Sequence, residues 1–370
     1  MVIRAILAVL LALPLSAAPK AKNVILFLSD AGGTSTMNAA SLHGYDEPQR
    51  LYVQSWPNMG LSDTSTASSW VTDSAAGMTA IVTGVKTQNG VISQGPDTVR
   101  GKQDGKPLKT ILEYAEEHGL STGVITNVGI ADATPAACFA HANDRKLWGN
   151  IFLQIFQPRF GDGVDVVMGV ARDRVYDDVA ALGKDLDEVA RGAKRPIYRT
   201  LEEIPADAKR PIAVLERDID VPTAARRALS ILSQNKKGYF LMIEWDAHAD
   251  NPQKGLDAMV GFDKLIREIA SKVDLKETLL VFTADHSFNI RSLGGKRGTP
   301  LLTGFEEWKK THKPSDEIRI PALRVGHEHT GEEVLVTAQG PGAEKVRGFM
   351  PNTRIFEVMM SAYGWRPDSK

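Results

Sequence analysis

The chain has 370 residues, 43% of them hydrophobic, a formal net charge of -1 and a single cysteine. That length and apolar content suffice for a large α/β core, and the near-zero charge excludes binding to nucleic acid or to an anionic membrane surface driven by overall charge. Cys138 has no partner for an intrachain disulfide, and any bound anion must be drawn by a local site.

The chain opens on a segment with the layout of an export signal. Arg4 supplies the positive start, Ala5 to Leu13 the apolar stretch, and Ser16, Ala17 and Ala18 the small residues a signal peptidase accepts. The apolar stretch is too short to remain as a membrane anchor. Residues 1–18 are therefore expected to be removed, and the mature chain, with no membrane span, to reside in a periplasm or outside the cell.

Beyond that segment, short apolar runs alternate with helical patterns. Val24 to Leu28, Gly123 to Val128, Val164 to Met168, Tyr239 to Ile243 and Leu279 to Thr283 are continuous and rich in β-branched residues, as strands buried on both faces should be. Leu108 to His118 and Leu256 to Val273 suit crossover helices. The expected fold is α/β, a doubly wound, mostly parallel central sheet with helices on both faces. Residues 19–370 read as a single domain, in which the charged, proline-dotted stretch 171–220 is a surface insertion, a lid or a solvated helical decoration.

Residues 71–80, V-T-D-S-A-A-G-M-T-A, place Ser74 directly after Asp73 at a predicted helix start. Unpaired N–H groups there favour an incoming anion, although Asp and Ser at such a place also read as a plain cap. Acidic residues stand at or just past four predicted strand ends: Asp30, Asp132, Glu244 and Asp285. In open α/β sheets the ligand crevice lies outside the carboxyl ends of the strands, so these acids are expected to converge. Cations would be needed to offset their repulsion. Asp285 and His286 are adjacent, Glu244 and His248 are four apart, and His329 stands in H-E-H-T-G-E. Carboxylate with imidazole is a ligand set that suits zinc.

Six ordered motifs carry a resemblance. They are S-D-A-G-G at 29–33, V-T-D-S-A-A-G-M-T-A at 71–80, G-V-K-T-Q-N-G at 84–90, D-A-T-P-A-A at 132–137 with A-H-A-N-D-R at 140–145, T-A-D-H-S at 283–287 and H-T-G-E at 329–332. Over nearly all of its mature length the chain resembles the alkaline phosphatase family. The resemblance implies hydrolysis of small phosphate monoesters, two Zn²⁺ ions, one Mg²⁺ ion and a homodimer. It places Ser74 at the nucleophile that takes the phosphoryl group and Arg145 at the phosphate grip, with Asp73 holding that arginine. Asp30 falls at the carboxylate shared between a zinc and the magnesium site. Asp285 and His286 match the zinc site beside the nucleophile, His248 and His329 the other zinc, and Asp132 and Thr134 the magnesium site. Zinc would lower the pKa of the serine hydroxyl, and two metals would serve both halves of an in-line displacement.

The chain departs from the family in two places. The usual glycine-aspartate-glycine-methionine-glycine opening is here S-D-A-G-G. In F-L-M-I-E-W-D-A-H at 240–248, the family's magnesium glutamate, which precedes the zinc aspartate by five residues, has no counterpart at that spacing. Two alignments are available. In the first, Glu244 replaces the zinc aspartate, His248 keeps its register and the magnesium glutamate is lost. In the second, Glu244 serves magnesium, Asp246 serves zinc and the loop is shortened. The first is preferred, because shortening disturbs strand-end register; it predicts a weak magnesium site completed by water.

Other polar and aromatic residues have simpler readings. Trp245 either lines the phosphate pocket or packs beside a strand end. His141 reads as a structural histidine, Cys138 as an inert core residue and Lys86 as a solvated charge. Two other functions remain open from the sequence: a phosphodiesterase or sulfatase of the same superfamily, and an exported phosphate- or metal-binding protein without catalysis.

Overall fold

The computed structural model describes residues 20–368, so the expected export signal at 1–18 lies outside the described residues. Thirteen strands are present among them: β1 Asn23–Asp30, β2 Asn58–Asp63, β3 Ser121–Gly129, β4 Val166–Val170, β5 Ile197–Tyr198, β6 Ile212–Val214, β7 Tyr239–Asp246, β8 Thr278–Thr283, β9 Ser287–Ser292, β10 Ile318–Arg319, β11 Leu323–Thr330, β12 Val334–Gln339 and β13 Gly348–Pro351. The helices are α1 Thr34–Tyr45, α2 Ser74–Thr83, α3 Ile111–Glu117, α4 Ala133–Phe139, α5 Trp148–Leu153, α6 Arg172–Ala180, α7 Leu186–Gly192, α8 Val221–Leu232, α9 Pro252–Lys272, α10 Phe305–Thr311 and α11 Thr353–Tyr363.

Ten strands form one sheet in the order β13-β2-β12-β8-β1-β7-β3-β4-β6-β5. From β8 to β5 all neighbours pair in parallel, while β12 runs antiparallel to both β8 and β2. The continuous apolar runs have a direct physical cause, since helices cover both faces of the sheet. On one face Val24, Leu26 and Leu28 of β1 pack with Met78 and Ile81 of α2 and Met359 of α11. On the other, Ile25 and Phe27 pack with Met37 of α1 and Phe262 and Ile266 of α9. The alternation along β1 is the two-residue period of a strand serving two cores.

The stretch 171–220 extends the sheet and is not an added layer on top of it. After α6 and α7 it contributes β5 and β6, and β6 lies fully buried in parallel beside β4. Ile212 to Leu215 is too short an apolar run to stand out from its charged surroundings. A second, three-stranded antiparallel sheet, β10-β11-β9, follows β8 and places His329 opposite Phe288. Among the described residues no helix is long and apolar enough to cross a membrane.

Candidate active site

Ser74 is the first residue of α2, and its position is fixed from both sides. Asp73 caps the helix by accepting from the Ala76 N–H at 3.1 Å, while its own N–H donates to Asn89 Oδ1 at 3.1 Å. The same Asn89 amide donates to the Val71 carbonyl at 3.1 Å, so one side chain clamps the approach to the helix. All ten residues of α2 are buried, and Gly77 lets it come close to the end of β8, because a Cβ there would stand 2.8 Å from the Asp285 carbonyl oxygen. The packing delivers the Ser74 hydroxyl to within 3.4 Å of Asp30 Oδ2 and 3.3 Å of His286 Nε2.

The strand ends supply the remaining groups. Asp30 closes β1 opposite Asp246 of β7, and the chain then turns through Ala31 at φ 59°, whose N–H donates to Asp285 Oδ1 at 3.3 Å. His286 follows Asp285 directly and is fully buried. The small sheet brings in His329, whose ring stacks on that of His286 with centroids 3.6 Å apart. Its Nδ1 lies 3.1 Å from the Thr72 carbonyl, which holds that nitrogen as the donor and leaves Nε2 facing His248 Nε2 at 3.3 Å. Three groups of side chains result: His248, His286 and His329; Asp30, Asp246 and His248; Asp30, Asp285 and His286. In each, the possible ligand atoms lie within 4.8 Å of one another.

The preferred alignment of the 240–248 segment does not match this geometry. Asp246, and not Glu244, stands with His248, its Oδ1 lying 2.6 Å from His248 Nδ1. Glu244 is fully buried one pleat deeper, opposite Leu28, and accepts from the Thr126 hydroxyl at 2.5 Å. Glu244 and Asp246 project to the same face of β7, so what separates them is depth. Two partners were not foreseen from the sequence. Thr126 holds Glu244, and Asn127 Oδ1 accepts the Asp246 N–H at 2.8 Å. The only sequence signal for them was a polar pair at the end of an otherwise apolar strand.

Arg145 bridges two carboxylates, Asp73 at 3.2 Å and Asp132 at 2.8 Å. Asp73 is thus both a helix cap and an arginine holder. Asp132, expected among the metal ligands, accepts from Arg145 and from the Ala133 N–H, the latter at 2.7 Å, both through Oδ1. Trp245 does not face the pocket: it lies on the other side of β7, tilted on Phe262 of α9 with ring centroids 6.0 Å apart. Lys86 is not a solvated charge, since it pairs with Asp63 and donates to Ser65 Oγ at 2.8 Å. His141 bridges the Ser93 carbonyl and Glu113, and Cys138 is buried, both as their simpler readings expected.

Charge and burial explain the electrostatics. Burial, reinforced by the charge of Asp30, pushes the carboxyl groups of Glu244 and Asp285 well above the usual range. Burial also lowers His286 and His329. At His248 burial pulls the same way, but Asp30 and Asp246 overcome it and hold the imidazole at about 10. Burial opposes the charge of Arg145, yet Asp132 and Asp73 raise its pKa further above its ordinary value.

The donor set fits cations. Asp30 Oδ1, Glu244 Oε1 and Asp285 Oδ2 are buried without a hydrogen-bond partner, each a group that costs about 1–3 kcal/mol if left so. Carboxylate oxygens clustered with imidazole nitrogens suit Zn²⁺, while an all-oxygen set of carboxylates and a threonine hydroxyl suits Mg²⁺.

Comparisons with known proteins identify the family and the fold. The family described as "Alkaline phosphatase" matches residues 21–185 and 214–317. The chain is 28% identical over 425 residues to streptomycin-6-phosphate phosphatase of Streptomyces griseus, covering 94% of this chain and 91% of the relative. It is 28% identical over 428 residues to the alkaline phosphatase of Escherichia coli, covering 93% and 86%. Among solved structures, a mutant of the alkaline phosphatase of TAB5, an Antarctic bacterium, with Mg bound in the site called M3, superimposes with a TM-score of 0.75 at 25% identity, covering 95% of this chain and 100% of that one. The alkaline phosphatase of Thermus thermophilus has the same fold, with a TM-score of 0.75 at 20% identity and coverage of 97% and 96%.

Proposed function

The chain belongs to the alkaline phosphatase family, and from that premise we propose that it hydrolyses phosphate monoesters through a phosphoserine formed on Ser74. The observation that carries the reading is the place of the Ser74 hydroxyl, at a helix N-terminus between Asp30 and His286 with Arg145 held alongside.

In this reading Asp30, Asp285 and His286 would hold one zinc beside the nucleophile. Asp246, His248 and His329 would hold the other. Glu244, Thr134 and Asp30 would serve magnesium, with the magnesium glutamate kept and the connecting loop shortened. Bound there, the cations would lower the pKa of the serine hydroxyl, neutralise charge on the phosphoryl oxygens and supply an activated water.

The protein's own groups do the rest. Arg145 is pre-set by Asp73 and Asp132, so its guanidinium can bond two phosphoryl oxygens without first having to be ordered. Amide groups at the start of α2 point towards the same anion. Ser74 Oγ forms the bond to phosphorus as the ester oxygen leaves with its alcohol, and water then breaks the seryl–phosphorus bond to release inorganic phosphate. Asp132 serves by orienting Arg145. Export to a periplasm or out of the cell, signalled by residues 1–18, and assembly as a homodimer complete the proposal.

The test compares an aryl phosphate monoester with a diester and an aryl sulfate, with and without chelator, for the wild-type chain and Ser74→Ala. Zinc-dependent turnover of the monoester, lost on chelation and lowered about a thousandfold or more in Ser74→Ala, is expected. Turnover that survives both treatments would overturn the reading, as would preference for the diester or sulfate.

A further inference from the structure

Trp70 is 88% exposed, more than any other large apolar side chain among the described residues. Such exposure forfeits the burial an indole normally gains. A loose loop is not the cause, because the backbone around it is held at several points. Thr66 N–H donates to the Ser69 carbonyl at 2.9 Å and Ala67 N–H to the Thr87 carbonyl at 2.9 Å. Asn89 holds the Val71 carbonyl, and His329 holds that of Thr72 at 3.1 Å. Gly331 lies so close that a Cβ there would stand 3.2 Å from the Trp70 carbonyl oxygen. A rigid loop thus presents a free indole.

Its backbone stands close to the nucleophile in sequence and in space. Trp70 precedes Ser74 by four residues, a reach of at most about 14 Å along an extended chain. Its backbone lies against the turn that follows His329, so it borders the side where His329 meets His248. In the phosphomonoesterase reading Arg145, held by Asp73 and Asp132, is committed to the phosphoryl group.

We propose that Trp70 is a specificity residue that stacks on the alcohol portion of the substrate, so the site favours monoesters whose alcohol carries a flat aromatic or heteroaromatic face. The inference rests on the phosphomonoesterase reading above. Stacking of an indole on such a ring is direction-tolerant and needs no further polar contact, which suits an exposed platform.

The test measures kcat/KM for 1-naphthyl phosphate and ethyl phosphate in the zinc-loaded wild-type protein, Trp70→Ala and Trp70→Phe, with inhibition by inorganic phosphate measured alongside. Trp70→Ala is expected to lower the naphthyl-to-ethyl ratio about tenfold, Trp70→Phe to recover much of it, and phosphate inhibition to stay unchanged. A change shared equally by both esters, or no change, would overturn the proposal. So would a fall in the ratio accompanied by a change of oligomeric state in sedimentation, since the indole would then be a contact between copies of the chain. If the wild-type protein hydrolysed neither ester, the phosphomonoesterase reading itself would fall, and the specificity proposal with it.

Discussion

Asp246 Oδ1 lies 2.6 Å from His248 Nδ1, while Glu244 on the same strand is turned into a pocket with Thr126. Two carboxylates two residues apart thus serve different places. Asp246→Asn is expected to remove one of two zinc ions per chain and leave magnesium in place. Glu244→Gln is expected to lose magnesium and keep both zinc ions. Elemental analysis of the purified variants after equilibration with limiting metal checks this; the opposite pattern would restore the alignment with Glu244 as a zinc ligand.

Arg145 is held by carboxylates on both sides, so its removal takes away a charge-assisted grip that is already oriented. Arg145→Ala should cost roughly 1.5–3 kcal/mol of transition-state stabilisation, about 10- to 150-fold in kcat/KM. Asp132→Ala should have the same sign and a smaller size, because Asp73 still holds the guanidinium. Steady-state kinetics on one aryl monoester decides it; equal losses in the two variants would mean that Asp132 does more than orient Arg145.

Glu116, at the end of α3, predicts a pH-dependent stability away from the site. Burial raises its carboxyl to about 7, with Asp165 and Asp162 adding to the shift and the Thr122 hydroxyl opposing it. The folded state therefore holds a proton that the unfolded chain has released, so stability falls as pH rises from the ordinary 4.5 through about 7. The loss is roughly 3 kcal/mol, taking about 1.4 kcal/mol per unit. Glu116→Gln should remove this slope. Urea unfolding of both proteins at fixed zinc between pH 5 and 8.5 checks it, and parallel curves for the two would count against it.

Much of the fold was legible because buried parallel strands must be continuously apolar. The runs at 24–28, 123–128, 239–243 and 279–283 all fall within strands of one sheet. The acids placed at their ends were legible for the same reason, since polarity resumes where a buried strand emerges. Ser74 was visible at a helix start, although the sequence left a plain cap as an alternative. The strands β5 and β6 were not legible. At β6 four apolar residues inside a charged stretch carry no periodicity, and their place is decided by a partner strand already present.

The sequence by itself therefore determined the fold class, the strand-end acids and a serine at a helix N-terminus, all of which follow from local pattern. Tertiary structure alone decided which acid meets His248, which face Trp245 takes and that Trp70 stays uncovered. A strand's two-residue period puts Glu244 and Asp246 on one face and Trp245 on the other, but does not say which face holds the site or how deep each residue lies. Neighbouring strands settled that: β1 sets Glu244 opposite Leu28 and Asp246 opposite Asp30, and Thr126 of β3 captures the deeper carboxylate.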